Sequence, residues 1–241
     1  MKLLRIQLAC ELRVLARNGE QLLLILGIPV LLLAFFSNVD ILPTAGQSSV
    51  NFLLPGIVAL AIMSTAMVSL GIATGFERSY QVLKRLGATP LGVPRLVLAK
   101  ALSVLVVELV QVTLLVALAR SFGADLGALN IAKLTAVIAL GTFAFSGIGL
   151  SLAGRLRGEV NLAAQNALYL VLLLIGGIVF PLGEFPSWLH WVGRISPSGA
   201  LADVMRDVFS GTSIHGASSL VVLLCWALAA QLCAFKLFRW N

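Results

Sequence analysis

The sequence predicts an all-α integral membrane protein with six transmembrane helices. Hydrophobic residues make up 59% of the 241 residues and charged residues only 11%, a composition unlike that of soluble domains. The apolar residues occur in runs long enough to cross the roughly 30 Å hydrocarbon core of a bilayer as helices. A single soluble core could not bury runs of this length, so we expect most side chains to face lipid or other helices.

Residues 1–20 precede the first apolar run and have the pattern of an amphipathic helix. Leu4, Leu8, Leu12 and Leu15 form one helical stripe, opposite Lys2, Arg13, Arg17 and Glu20. This pattern predicts a helix that lies in the cytoplasmic membrane interface, with a plain cytosolic extension as the alternative. No clear small-residue cleavage site follows the first apolar run, so we expect no cleavable signal peptide.

Six apolar runs follow, and each is predicted to cross the membrane once. They cover residues 21–38, 51–74, 96–119, 131–153, 162–182 and 218–235. With six crossings, thirteen of the 17 Lys and Arg residues fall on one side of the membrane and four on the other. The positive-inside rule therefore predicts a protein of the cell membrane whose N- and C-termini are both cytoplasmic.

The charged loop between the second and third runs, residues 76–95, is predicted to form a short cytoplasmic helix. Glu77 near its start and Lys84 with Arg85 near its end complement a helix dipole. Gly87 can end the helix in a left-handed conformation, and the prolines beyond it prevent continuation.

The loop at residues 183–217 is predicted to lie outside the cell and to form one or two half-buried re-entrant helices. Its tryptophan pair suits the outer headgroup level, whereas Asp203, Arg206 and Asp207 would be costly in a full crossing. No internal repeat or soluble domain boundary is visible, so residues 1–241 are interpreted as one transmembrane domain.

Motifs that carry enzymatic chemistry are missing from this sequence. It contains no HExxH, GxSxG, carboxylate cluster or paired cysteine spacing, so we predict no catalytic residue, no metal site and no enzyme. It also contains no phosphate-binding loop, so energy from ATP would have to come from a partner. The basic residues are scattered through short loops and do not form a nucleic-acid patch.

Glu108 is the ionisable residue deepest in a predicted span, and Gln111 lies one turn later on the same face. An acid at the bilayer centre costs roughly 2.5 to 3.5 kcal/mol, so something should compensate it. Two interpretations stay open. Glu108 and Gln111 line a transport path for a cationic or polar substrate, or Glu108 is a hydrogen-bonded acid buried between helices or subunits.

Small residues at helical spacing predict close helix contacts in two spans. Gly71 and Gly75 form a GxxxG motif in the second run, and Gly149 with Ala153 forms a looser version in the fourth. Packing within one chain is favoured over a dimer face, because glycine is frequent in membrane helices in general.

Three stretches of the sequence carry a family resemblance: FLLPGIVAL, FERSYQVLKRLGATPLGVPRLVLAKAL and ISPSGALADVMRDVFSG. They resemble the membrane (permease) subunit of the type-two ABC exporter family, and the sequence is similar to antibiotic and daunorubicin-type efflux permeases. The middle stretch is the most specific. The outer motif departs from the family in having SPSG in place of an Asn-Pro form. The lack of a large outer domain argues against the lipoprotein-release and macrolide branch.

The resemblance implies a half-size permease that dimerises with a second copy or a paralogue. Two separate ABC ATPase subunits would bind ATP and Mg²⁺, and this chain would bind no cofactor itself. A hydrophobic or amphiphilic drug, antibiotic or lipid-like compound would leave the cell between the permease copies. The resemblance assigns ATPase coupling to Glu77, Arg78, Tyr80, Lys84 and Arg85, and the outer motif to Pro197 and Arg206.

Two other classes of membrane protein are alternatives to this interpretation. A membrane-embedded enzyme of lipid or envelope metabolism would need a catalytic constellation. A proton-coupled secondary transporter could use Glu108, and it would be expected to show inverted repeats, which are not visible.

Overall fold

A computed structural model of the protein describes residues 2–38, 48–127, 129–178, 186–211 and 216–238, and every regular element in these ranges is helical. The helices are α1 (Lys2–Arg17), α2 (Gly19–Ser37), α3 (Ser49–Met63), α4 (Leu70–Ser79), α5 (Val82–Gly87), α6 (Val93–Ser121), α7 (Ile131–Ala153), α8 (Gly158–Ile175), α9 (Ser187–Ile195), α10 (Pro197–Ser210) and α11 (Gly216–Leu237), and a π-helical stretch (Ser64–Ser69) joins α3 to α4. The all-α prediction is confirmed.

Six helices of the described ranges are long and apolar enough to cross a membrane, as predicted. They are Gly19–Ser37, Ser49–Ser79, Val93–Ser121, Ile131–Ala153, Gly158–Ile175 and Ala217–Leu237. The observed helices extend past several predicted bounds because polar residues that flank the apolar stretch continue the helix. The predicted end of the fifth run, residues 179–182, lies outside the described residues.

The second span and α7 form the buried centre of the bundle. Helix α11 packs along α7, where a Cβ atom added at Gly147 would lie 2.6 Å from the carbonyl carbon of Ala230. The amide of Gln231 donates to the carbonyl oxygen of Phe143 at 2.7 Å across the same contact. In lipid there is no hydrophobic driving force for two helices to associate. The glycine therefore allows α7 and α11 to approach closely, and the side-chain hydrogen bond holds them together.

The small residues of the GxxxG motif contact α8 within the same chain, as favoured from the sequence. The carbonyl of Gly71 accepts a 2.8 Å hydrogen bond from the Asn161 side chain. The carbonyl of Gly149 likewise accepts one of 2.9 Å from Gln165. Asn161 and Gln165 are themselves hydrogen-bonded at 3.2 Å, so α8 joins the second span to α7 through two buried amides.

Helix α1 has the predicted amphipathic arrangement. Its leucine stripe is half-buried, mainly against α6, and Lys2, Arg13 and Arg17 are exposed. The side chain of Asn18 accepts a hydrogen bond from the backbone N–H of Gln21 and so caps the start of α2. The end of the bundle that carries α1, α5 and the turn between α7 and α8 is called the basic end below.

The helix between the second and third spans begins later than the sequence suggested. The second span runs on to Ser79, so Glu77 belongs to its last turn and does not begin the short helix. Gln81 adopts a left-handed conformation, with φ of 60°, before α5 starts at Val82. Gly87, expected to end the helix in that conformation, is instead the last residue of α5, and Ala88 follows it with φ of −76°.

Two helices, α9 and α10, occupy the described part of the predicted outer segment. Pro197 opens α10, where its missing N–H is not needed, and the Ser196 hydroxyl accepts from the Gly199 N–H at 3.0 Å. Helix α10 is buried over most of its length and packs against α3, α7, α8 and α11. The outer segment is therefore part of the bundle core at the end opposite the basic end.

Candidate coupling surface and transport path

A short polar elbow, residues 80–92, joins the second and third spans at the basic end. Leu83 and Leu91 anchor it, with 0% and 5% exposure. The side chains of Tyr80, Lys84 and Arg85 are exposed on its surface. The elbow therefore exposes an aromatic ring and two cations while its underside is fixed to the bundle.

Local hydrogen bonds hold the return of the elbow into α6. The Thr89 hydroxyl donates to the Leu86 carbonyl at 2.6 Å. The Arg95 guanidinium donates to the carbonyls of Pro90 and Leu91 at 3.1 and 3.3 Å. These bonds close the turn on itself and fix the elbow to the start of α6.

Arg78 and Glu77 lie behind the elbow, on the last turn of the second span. The Arg78 guanidinium donates to the carbonyl of Leu156 at 3.3 Å, in the turn between α7 and α8. Glu77 points to α6, where its carboxylate lies 2.8 Å from the Lys100 ammonium. Of the five residues predicted for ATPase coupling, three are therefore exposed on the elbow. The other two lie at the end of the second span and contact α6 and the turn between α7 and α8. The coupling role of all five stays a prediction.

Lys100 is the centre of an ion cluster that the sequence analysis missed. Its ammonium also lies 3.0 Å from the carboxylate of Glu11 on α1, and its side chain is only 1% exposed. Lys100 thus ties α1 to α6 and, through Glu77, to the second span. A signal was present, because Glu11 continues the apolar stripe of α1 and an acid on such a stripe needs a buried partner.

Glu108 lies between α6 and α7 and is fully buried. Its Oε2 atom is hydrogen-bonded to the Thr142 hydroxyl, which also contacts the Ile138 carbonyl at 2.7 Å. This placement corresponds to the interpretation of a hydrogen-bonded acid between helices. A part in the transport path stays a prediction.

Gln111 connects three spans. Its amide nitrogen donates to the Ile25 carbonyl of α2 at 2.6 Å, and its oxygen accepts from the Thr65 hydroxyl of the π-helical stretch at 3.4 Å. The Ile25 carbonyl would normally accept from the N–H of residue 29, and that residue is Pro29. Gln111 therefore satisfies a main-chain carbonyl that proline leaves without its helical donor.

Arg206, half of the predicted outer motif, connects α10 to the end of α8. Its guanidinium donates to the carbonyl of Gly177 and lies 3.6 Å from the carboxylate of Asp203. A cation is favourable beside the last carbonyls of a helix. Burial lowers the pKa of the Arg206 guanidinium, and the Asp203 carboxylate opposes that shift. Pro197, the other half of the motif, begins the same helix.

Together these features define a polytopic helical membrane protein with a polar elbow at one end of its bundle and a buried outer helix at the other. A comparison with protein families agrees with this architecture. The family model described as ABC-2 type transporter matches residues 3–210 of the chain. The chain belongs to this family and is the membrane component of an ABC transporter.

A curated relative supports the same family. The chain is similar to ABC transporter G family member 20 of Dictyostelium discoideum, with 28% identity over 184 residues. The aligned region is 73% of this chain and 25% of the relative. The chain therefore spans about a quarter of the length of the curated relative that it matches.

Proposed function

We propose that this chain is the permease subunit of an ATP-driven exporter. It moves a hydrophobic or amphiphilic compound, such as a drug, an antibiotic or a lipid-like molecule, out of the cell. Two copies of a separate ABC ATPase subunit bind and hydrolyse ATP with Mg²⁺, and a second permease copy or a paralogue completes the passage. The family match carries this proposal, and the elbow supplies a surface for the ATPase.

The charge distribution supports an orientation in which the elbow meets cytosolic ATP. The elbow belongs to the side of the membrane that holds thirteen of the 17 basic residues. By the positive-inside rule this side faces the cytoplasm, with both termini.

The contacts of the elbow support a coupling mechanism. Closure of the ATPase subunits would push on Tyr80, Lys84 and Arg85, and the anchored elbow would move the second and third spans together. The Glu77–Lys100 ion pair joins those two spans directly behind the elbow. The displaced spans would shift the interface between permease copies from an inward-open to an outward-open state.

Charge reversal on the elbow tests the proposal. The double variant Lys84→Glu/Arg85→Glu should insert and fold normally, because both side chains are exposed, but it should lose stimulation of the ATPase and ATP-dependent export. A matched control is Arg155→Glu/Arg157→Glu, which reverses two exposed charges in the turn between α7 and α8.

The assay is ATP hydrolysis and export in proteoliposomes that contain the ATPase partner. Unchanged stimulation and export in the elbow variant would contradict the coupling assignment. Transport by the purified chain in the absence of any ATPase would contradict the proposed function as a whole.

A further inference from the structure

Helix α1 carries a second apolar stripe in addition to the leucine stripe that packs against α6. The members of this second stripe are Leu3, Ile6, Cys10 and Val14. They are three or four positions apart and therefore lie on one face of the helix. The bundle does not cover this face, because Leu3, Ile6 and Val14 are 38%, 58% and 58% exposed and Cys10 is exposed as well. The second stripe is thus available to a partner outside the bundle.

Four cations flank the second stripe on one side. Lys2, Arg5 and Arg13 each come directly before a residue of the stripe, and Arg17 comes three residues after its last member. In an α-helix these spacings turn a side chain to the same side of the stripe, by about 100° and about 60°. All four side chains are exposed, and none has a hydrogen bond or an ion pair with a residue of the described ranges. A row of unpaired cations beside an apolar face is typical of a helix that lies on an anionic membrane surface.

The ion cluster fixes the rotation of α1 about its own axis. Glu11 directly follows Cys10, so it lies on the side of the second stripe opposite to the cations. Its carboxylate lies 3.0 Å from the Lys100 ammonium of α6 and accepts a 2.7 Å hydrogen bond from the Gln7 amide. A rotation that turned the second stripe into the bundle would break this buried ion pair. The stripe and its cations are therefore held in their exposed position.

The lipid-facing surface of the first span begins close to the second stripe. Helix α2 starts at Gly19, two residues after α1 ends at Arg17. The side chains of Leu23 and Leu24 in α2 are already 70% and 49% exposed. Four residues of helix rise only about 6 Å, so α1 lies within reach of the headgroup layer. At that depth apolar side chains reach the acyl chains, and Lys and Arg extend their cationic ends to the phosphates.

We propose that the second stripe and its four cations form a binding surface for anionic phospholipids of the cytoplasmic leaflet. The stripe enters the acyl region, and the cations contact the phosphodiester head groups. The inference goes beyond the proposed function, because this binding needs neither ATP nor an ATPase and does not depend on the exported compound.

The test uses a bimane fluorophore on Cys10 of the full chain, in which Cys225 and Cys233 are replaced by serine. The protein is placed in nanodiscs of phosphatidylcholine with a minor fraction of phosphatidylglycerol, and the acyl chains of one lipid at a time are brominated. Bromine quenches bimane only at close contact. We expect quenching at Cys10, with phosphatidylglycerol about twofold or more as effective per molecule as phosphatidylcholine. The excess should fall as salt is raised from 0.1 M to 1 M, because the Debye length drops from about 10 Å to about 3 Å.

Two further label positions calibrate the measurement. Ala9→Cys, in a chain without the natural cysteines, places bimane among the cations on the exposed side of α1, where quenching should be weak. Leu31→Cys places it on the 69% exposed face of α2, where both lipids should quench in proportion to their amounts. Quenching at Cys10 as weak as at Ala9 would mean that the stripe faces water or awaits a protein, and it would overturn the inference.

Charge reversal tests the part of the cations. Arg5→Glu/Arg13→Glu should abolish the phosphatidylglycerol excess at Cys10, because it replaces two of the four cations. Arg120→Glu/Lys133→Glu makes the same change in net charge with two exposed residues at the opposite end of the bundle and should leave the excess unchanged. The unfolding midpoint of each variant shows that it is folded. Equal quenching per molecule by the two lipids in the natural protein, or an excess that survives in the folded Arg5→Glu/Arg13→Glu variant, would overturn the inference.

Discussion

The side chain of Gln111 donates a 2.6 Å hydrogen bond to the main-chain carbonyl of Ile25 on another span. This carbonyl lacks its helical partner because Pro29 has no N–H. Water is scarce inside a membrane bundle, so an unsatisfied carbonyl there is costly, and neighbouring helices must supply the donor. Gln111 is therefore a structural partner of the proline in α2.

The Gln111–Ile25 bond predicts a coupling between two distant substitutions. Gln111→Leu should lower the free energy of unfolding by about 1 kcal/mol, the scale of hydrogen bonds between membrane helices. The loss should be smaller in a Pro29→Ala background, since alanine restores the N–H that the Ile25 carbonyl needs. A double-mutant cycle of denaturant unfolding measures the coupling. Equal losses in both backgrounds would show that the bond is not specific to the proline.

The ion cluster predicts that Lys100 is a major determinant of stability. Lys100→Met would leave Glu11 and Glu77 close together without a cation, and removal of one partner from a buried ion pair costs roughly 3 to 5 kcal/mol. Lys133→Met removes an exposed lysine near the start of α7 and should change the free energy of unfolding little. Chemical unfolding in detergent compares the two variants. Similar stabilities would argue against a tightly held cluster.

Two glycines with different surroundings predict opposite effects of the same substitution. A Cβ atom at Gly149 would lie 2.6 Å from the carbonyl oxygen of Met67, whereas one at Gly27 would have open space around it. Gly149→Ala should therefore destabilise the protein by roughly 1 to 3 kcal/mol through overpacking. Gly27→Ala should be neutral or stabilising by up to about 1 kcal/mol. Thermal unfolding of the pair tests the contact between α7 and the second span, and equal effects would contradict it.

The pairing of Glu108 with Thr142 predicts which substitution of that pair is harmful. Thr142→Val removes the partner of a fully buried acid and should cost about 1 to 3 kcal/mol. Glu108→Gln keeps a hydrogen-bonding group in the same space and should cost much less. The free energies of unfolding of the two variants provide the comparison, and a Glu108→Gln variant as unstable as Thr142→Val would count against the assignment.

The same Glu108→Gln variant tests the transport-path prediction. If Glu108 meets a cationic substrate, export of such compounds should fall in a normally folded protein. Unchanged export of every cationic compound tested would leave Glu108 with a structural role alone.

The periodicity of the sequence was enough to predict the spans and the amphipathic first helix. Runs such as residues 131–153 are apolar throughout, and their length relative to the bilayer fixes the type of element. The leucine stripe of α1 likewise follows from helical spacing. These features depend only on the local sequence and on the lipid environment, so they can be predicted from one sequence.

The pairs that hold the bundle together could not be predicted in this way. Lys100 joins Glu11, 89 positions earlier, and Gln111 joins Ile25, 86 positions earlier. Such partners depend on which helices become neighbours, which hydropathy does not specify. The end of the second span was misplaced for a related reason. Glu77 is charged, and its pairing with Lys100 lets it stay in the helix, where its charge alone suggested a loop.

The proposed function requires the elbow to face the cytoplasm, where an ATPase can reach it. The direct test uses a chain in which Cys10, Cys225 and Cys233 are replaced and Tyr80→Cys is introduced as a single target. A membrane-impermeant maleimide should label this residue only after the cells are permeabilised. Trp188→Cys, exposed on α9, should be labelled in intact cells. Labelling of the elbow in intact cells, with protection of α9, would contradict the account.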